Sequence, residues 1–114
     1  MARDPVLETA VMDILWEAPG WMTAREVRAA LPRRVAVTTA GTVLSRLHGK
    51  ARVERRRRGR AYEYRAACTR EEYVASRMEE LLATSRDHRL ALLRFVDRLP
   101  VDDVSRLRKI LGGR

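Results

Sequence analysis

Two adjacent stretches decide the reading: TTAGTVLSRLHGK, residues 38–50, and RVERRRRGRAYEYRA, residues 52–66. In the first, Ala40, Val43, Leu44, Leu47 and Ala51 fall within one arc of a helical wheel, the stripe by which a helix packs on a core. The opposite arc gathers Thr38, Thr42, Ser45, Arg46 and Gly49, small hydrogen-bonding residues plus one long cation. A merely solvated helix more commonly carries Glu and Lys there. An arc of this kind suits the major groove of DNA, where bulk or negative charge would meet base edges and phosphates. Gly41 and Gly49 lower intrinsic helix propensity, so packing is expected to hold this helix.

The second stretch places six Arg among positions 52–60, interrupts them with Gly59, and then alternates Tyr62 and Tyr64. Alternation around a glycine predicts a β-hairpin turning at Arg58-Gly59, with Val53 pointing inward and Arg55 and Arg57 sharing its parity near the tip. The competing reading is a disordered basic segment, since like charges repel. Tyr62 and Tyr64 share one strand face, so one of them is expected in the core; which one is open.

Upstream, Asp4-Pro5 offers an N-cap and an N1 proline, and Leu7, Val11, Ile14 and Leu15 recur at helical spacing up to the Pro19-Gly20 breaker. Thr23 and Glu26 form a capping box, Met22 and Val27 a hydrophobic staple, and Val27, Ala30 and Leu31 an apolar stripe ending before Pro32. Trp16 and Trp21 read as packing residues. Downstream, Thr69 and Glu72 make a second capping box before a long helix with Val74, Met78, Leu81 and Leu82 at the helical period. A nearly all-round apolar segment follows, with Leu90, Leu93, Phe95 and Val96, and then a last helix with Leu107, Ile110 and Leu111. These three helices offer more apolar surface than a monomer tolerates, so they are expected to pair with a second copy.

Composition narrows the classes. The 114 residues carry a net charge of +9, and 14 basic against 7 acidic groups lie in residues 1–66. A concentrated positive half implies a polyanionic partner, with nucleic acid first. No apolar run approaches the ~20 residues of a membrane helix. The opening Met-Ala-Arg-Asp-Pro lacks the apolar stretch of a secretory signal, so a cytoplasmic location is expected. Cys68 is the single cysteine, without neighbours for a zinc site or disulfide. His48 and His88 have no nucleophile and base beside them, so neither catalysis, nor a metal, nor a cofactor is expected.

The order helix, helix, helix, hairpin predicts a mainly α fold with a small β-hairpin: a winged helix-turn-helix DNA-binding domain over 1–67, followed by a helical dimerisation region over 68–114. Thr38, Thr39, Thr42 and Arg46 are the candidates for base or groove contact, with Arg46 able to pair with guanine. For Thr38 and Thr39 the plainer alternative is helix capping. Lys50, Arg57, Arg58, Arg60 and Tyr62 are the candidate phosphate contacts. A nonspecific, chromatin-like nucleic-acid module or a protein-interaction adaptor would use the same fold.

These residues also carry a resemblance. Thr42-Val43-Leu44, Arg46-Leu47, Lys50, Gly59-Arg60-Ala61-Tyr62-Glu63-Tyr64 and Thr69-Arg70-Glu71-Glu72, with the opening Glu8 to Trp16 and the Leu107 to Leu111 end, make a pattern similar to the penicillinase-repressor family. That family includes β-lactamase, methicillin-resistance and copper-responsive repressors. The resemblance implies a homodimeric repressor on a dyad-symmetric operator of a resistance or stress operon. It also implies a membrane-anchored sensor protease system as releasing partner, with the vulnerable bond at Arg94-Phe95. The ending Leu111-Gly112-Gly113-Arg114 lacks the cysteines of the copper branch, so metal sensing is not expected. Lys50-Ala51 stands where many members have Lys-Gly, and Gly41 replaces a larger residue, which leaves room for a different operator.

Overall fold

A computed structural model of the chain describes residues 4–113. The leader reading at Met1, Ala2 and Arg3 and the Arg114 end lie outside them. The chain forms two compact units that divide between Val74 and Ala75.

The first unit opens with α1 (Pro5–Glu17), where the Asp4 carboxylate accepts from the Leu7 N–H at 3.0 Å and Pro5 occupies a position whose N–H has no helical partner to lose. That bond, and then the Arg33 guanidinium, hold the Asp4 carboxyl below its usual range. A short strand the alternation did not reveal, β1 (Met22–Thr23), runs into α2 (Ala24–Ala30). The expected Thr23/Glu26 capping box is formed in both directions. Leu31 and Val27 are buried, whereas Ala30 is exposed.

Helix α3 (Val37–Gly49) starts one residue earlier than its sequence pattern indicates, and its N-cap is Ala36, with no side-chain cap bond. It ends in a Schellman arrangement: Arg52 N–H donates to Leu47 C=O at 2.9 Å and Ala51 N–H to His48 C=O at 3.0 Å. Ala51 therefore takes a φ of 60°. This removes it from the apolar arc: it is exposed, while Ala40, Val43, Leu44 and Leu47 are buried as expected.

The hairpin comprises β2 (Val53–Arg58) and β3 (Ala61–Ala66), and the sheet order is β1-β3-β2, antiparallel throughout. Arg58 pairs with Ala61, so the turn is Gly59-Arg60, one residue later than the sequence suggested. Gly59 alone has positive φ there, +62°, the signature of a turn with glycine at its first central position. Val53 and Tyr64 join Leu7, Val11, Met12, Leu15, Val27, Val43, Leu44 and Leu47 in one core.

Tyr73, in the first turn of α4 (Arg70–Leu82), belongs to this core too. Its hydroxyl shares a 3.1 Å hydrogen bond with Thr9, and its ring meets Trp16 edge-on at 5.5 Å. The Trp16 indole N–H donates to Cys68 C=O at 2.8 Å, so Trp16 is a packing residue, as read. The Thr69/Glu72 capping box is formed.

The second unit holds the rest of α4, then α5 (His88–Arg98), capped by Asp87, and α6 (Val101–Gly112), which follows Pro100 and carries Asp102 and Asp103 in its first turn. None of its described residues is buried. Met78, Leu81, Leu90, Leu92, Leu93, Phe95, Val96, Val101, Ile110 and Leu111 are all exposed, and Leu82 and Leu107 are half-buried. Val74, at the end of the first unit, is exposed as well. Among the described residues no helix is long and apolar enough to cross a membrane.

Candidate nucleic-acid interface

One face of α3 is spent on the core, and the polar arc lies outside it. Thr38, Thr39 and Ser45 are exposed; Thr42 and Arg46 are half-buried. Thr38 and Thr39 are the second and third residues of the helix rather than its cap. The Thr42 hydroxyl donates to Thr38 C=O at 2.9 Å, so its proton is engaged within the helix and its oxygen is left to accept. Thr38, Thr39, Thr42 and Arg46 line one cavity of about 260 Å³ with Asp4 and Glu8 of α1. Sequence reasoning had not placed these two acids beside the candidate base contacts, because only the packing of α1 on α3 brings them there.

The end of α3 is anchored from below. Glu8, 2% exposed, lies 3.7 Å from the Lys50 ammonium and 3.6 Å from the Arg52 guanidinium. Arg52, itself 6% exposed, also lies over the Tyr73 ring at 5.1 Å. Lys50 is thus half-buried in an internal ion pair rather than standing free at the helix end. Cys68 donates its thiol to Arg52 C=O at 3.6 Å, and burial, followed by the nearby Glu72, pushes that thiol above its ordinary pKa.

On the hairpin, register sorts the cations. Arg55, Arg57, Tyr62 and Tyr64 share one face with Val53; Glu54, Arg56, Arg58, Glu63 and Arg65 share the other. Tyr62 is exposed, with the Arg55 and Arg57 guanidiniums 4.2 and 5.4 Å from its ring centroid. Arg60 is exposed in the turn. Arg58 instead donates to Glu63 at 2.9 Å, as does Arg56. Glu63 is 3% exposed; burial would raise its pKa, but the two guanidiniums outweigh it and hold the carboxyl below its usual range. Trp21 carries Arg56 and Arg65 over its ring at 4.3 and 4.5 Å.

The sequence model of the penicillinase repressor family matches residues 6–113, almost the whole length. The chain belongs to the penicillinase repressor family. The transcriptional regulators BlaI from two strains of Mycobacterium tuberculosis are each 41% identical to it over 111 residues, spanning 93% of this chain and 80% of the relative. A MarR family protein from Bacillus stearothermophilus, of solved structure, is 16% identical with a TM-score of 0.47, over 99% of this chain and 73% of that one. As a member of the penicillinase repressor family the chain is a transcriptional repressor with a winged-helix DNA-binding fold, and not an enzyme.

Proposed function

We propose that this chain acts as a homodimer that recognises a dyad-symmetric operator in double-stranded DNA and represses a resistance or stress operon. The observation that carries the DNA-reading half is the polar arc of α3, which itself carries no acid and lies on a helix that packs against β2 of the basic hairpin. Thr38, Thr39, Thr42 and Arg46 read base edges; Arg57, Arg60 and Tyr62, with Arg55 beside them, contact phosphates, and Lys50 adds a cation at the end of α3. The dimer is supported by the second unit, none of whose described residues is buried, since so much uncovered apolar surface is rare on a monomer. A symmetric dimer in turn demands two half-sites at fixed spacing.

Release belongs to the same proposal: a membrane-anchored sensor protease system cuts near Arg94-Phe95. That bond lies inside α5, and a protease needs it in an opened chain. Cleavage there follows the population of locally open states, which pairing with a second copy lowers.

Selection of bound sites from a random duplex library, followed by titration of the winner at several salt concentrations, tests the reading. The expected result is an enriched inverted repeat bound by two copies. If about 8 phosphates are neutralised, log K falls against log salt with a slope near −7. Salt-sensitive binding without an enriched sequence would favour a nonspecific nucleic-acid module instead.

A further inference from the structure

The two faces of the hairpin use the same residue type in opposite ways. On the face bearing Val53 and Tyr64 the register places no acid, and Arg55 and Arg57 stack on Tyr62. On the other face each arginine has a carboxylate. Arg56 Nε and Arg58 Nη1 donate to Oε1 and Oε2 of Glu63, each at 2.9 Å, and Arg65 Nε donates to Glu54 Oε2 at 2.9 Å. Both Glu63 oxygens are therefore occupied, and the carboxylate lies in the central strand of the sheet.

We infer that Glu63 is a specificity-determining residue: it withholds Arg56 and Arg58 from DNA phosphates and confines the hairpin's backbone contact to the Arg55–Tyr62–Arg57 face and Arg60 of the turn. The inference rests on the DNA-binding reading above. A phosphate approaching Arg56 or Arg58 meets a cation already paired, and brings its own charge close to a buried carboxylate, where water and salt screen repulsion weakly. Phosphate contacts carry no sequence information, so where they are allowed decides how much binding is unselective. In the operator complex α3 fixes the orientation and seats the Tyr62 face. On random duplex the orientation is not fixed, and any uncompensated arginine adds affinity. A carboxylate under two of the wing's arginines thus lowers nonspecific binding while leaving operator binding alone.

The test uses the full chain and two variants, Glu63→Gln and the double change Arg56→Gln with Arg58→Gln, in which glutamine amides can still donate to Glu63. Affinities are measured by fluorescence anisotropy on the selected operator and on a scrambled duplex of equal length, across a salt series, after circular dichroism has checked folding. Glu63→Gln is expected to bind the scrambled duplex more tightly, with a salt slope steeper by about 2 per protomer at roughly 0.9 per phosphate, and to prefer the operator less. The double variant should keep the wild-type slope on both duplexes. An unchanged or shallower slope for Glu63→Gln, or a shallower operator slope for the double variant, would overturn the inference by showing that the pair does not restrain the arginines. If Glu63→Gln does not fold, the double variant decides alone. A wild-type chain that binds neither duplex would overturn the DNA-binding reading, and this inference with it.

Discussion

Tyr62 and Tyr64 stand two residues apart on the same face of one strand, with ring centroids 6.4 Å apart, yet Tyr64 is 4% exposed and Tyr62 37%. The difference comes from position along the hairpin. Tyr64 lies opposite Arg55 and pairs with Met22 of β1, over the helices, whereas Tyr62 pairs with Arg57 two residues nearer the tip. Identical side chains at one parity thus divide between core and ligand surface.

The division predicts separable effects. Tyr64→Ala should destabilise the first unit by about 3–5 kcal/mol, the range for removing a buried aromatic ring. Tyr62→Ala should change stability by less than about 1 kcal/mol, as an exposed substitution does, while weakening binding to operator and random duplex alike. Urea denaturation and DNA titration on both variants check this, and a Tyr62→Ala protein with undiminished DNA affinity would count against the basic face of the hairpin as the phosphate contact.

Ala51 supplies a second prediction. Its φ of 60° costs an alanine about 1–2 kcal/mol, because the Schellman end of α3 needs a left-handed residue there. Glycine escapes that cost but loses roughly 0.5–1 kcal/mol of chain entropy. Ala51→Gly is therefore expected to raise stability by about 0.5–1 kcal/mol in urea denaturation, with operator binding intact. A destabilised variant would mean that the alanine methyl makes contacts that outweigh the strain.

Most of the fold was legible because it is written in local signals. Both capping boxes, the Asp4-Pro5 start and the arc Ala40–Val43–Leu44–Leu47 need only spacing to be recognised. What could not be read depends on residues far apart in sequence. Two residues of β1 have no periodicity, and they exist as a strand because Met22 and Thr23 meet Tyr64 and Glu63. Tyr73 sits among charges in a helix start, and only the approach of Thr9 and Trp16 makes it core. The candidate site shows the same limit. The arc on α3 was visible, but Glu8 beneath Lys50 and Glu63 beneath Arg56 and Arg58 were not, since a carboxylate in sequence does not announce which cation it will hold.

Acid sensitivity follows from four carboxyls held below their usual range. For Glu26 and Glu72 the first cause is the backbone N–H of Thr23 and Thr69; for Asp4 it is the N–H of Leu7; for Glu63 burial opposes and two arginines prevail. Each folded-state pKa lies below the unfolded one, so the stability each group contributes is complete above the ordinary value, near 4.5 for glutamate, and is lost as pH falls through the lowered value. Stability should stay level from about pH 7 to 5 and decline below about 4.5. Urea midpoints at pH 7, 5, 4 and 3 test this; Glu72→Gln should flatten the decline, and a wild-type chain more stable at pH 3 than at pH 6 would contradict it.

The exposed leucines of α5 and α6 give the last prediction. A helical unit with none of its described residues buried has almost no core of its own, and small units of that kind usually need a partner. Leu93, half-way along α5 and exposed, is a suitable probe because aspartate there remains solvated in a monomer but would be desolvated in a dimer. The substitution enters a symmetric interface twice, so burying the unpaired carboxylates should weaken association by several kcal/mol. Leu93→Asp is expected to sediment as a monomer at micromolar concentration, to keep the near-ultraviolet signal of Trp16 and Tyr73 in the first unit, and to bind the operator at least tenfold less tightly. A Leu93→Asp chain that remains a dimer would move the proposed interface off α5. A wild-type chain that sediments as a monomer would remove the basis for expecting two half-sites, and the operator would then be sought as a single site.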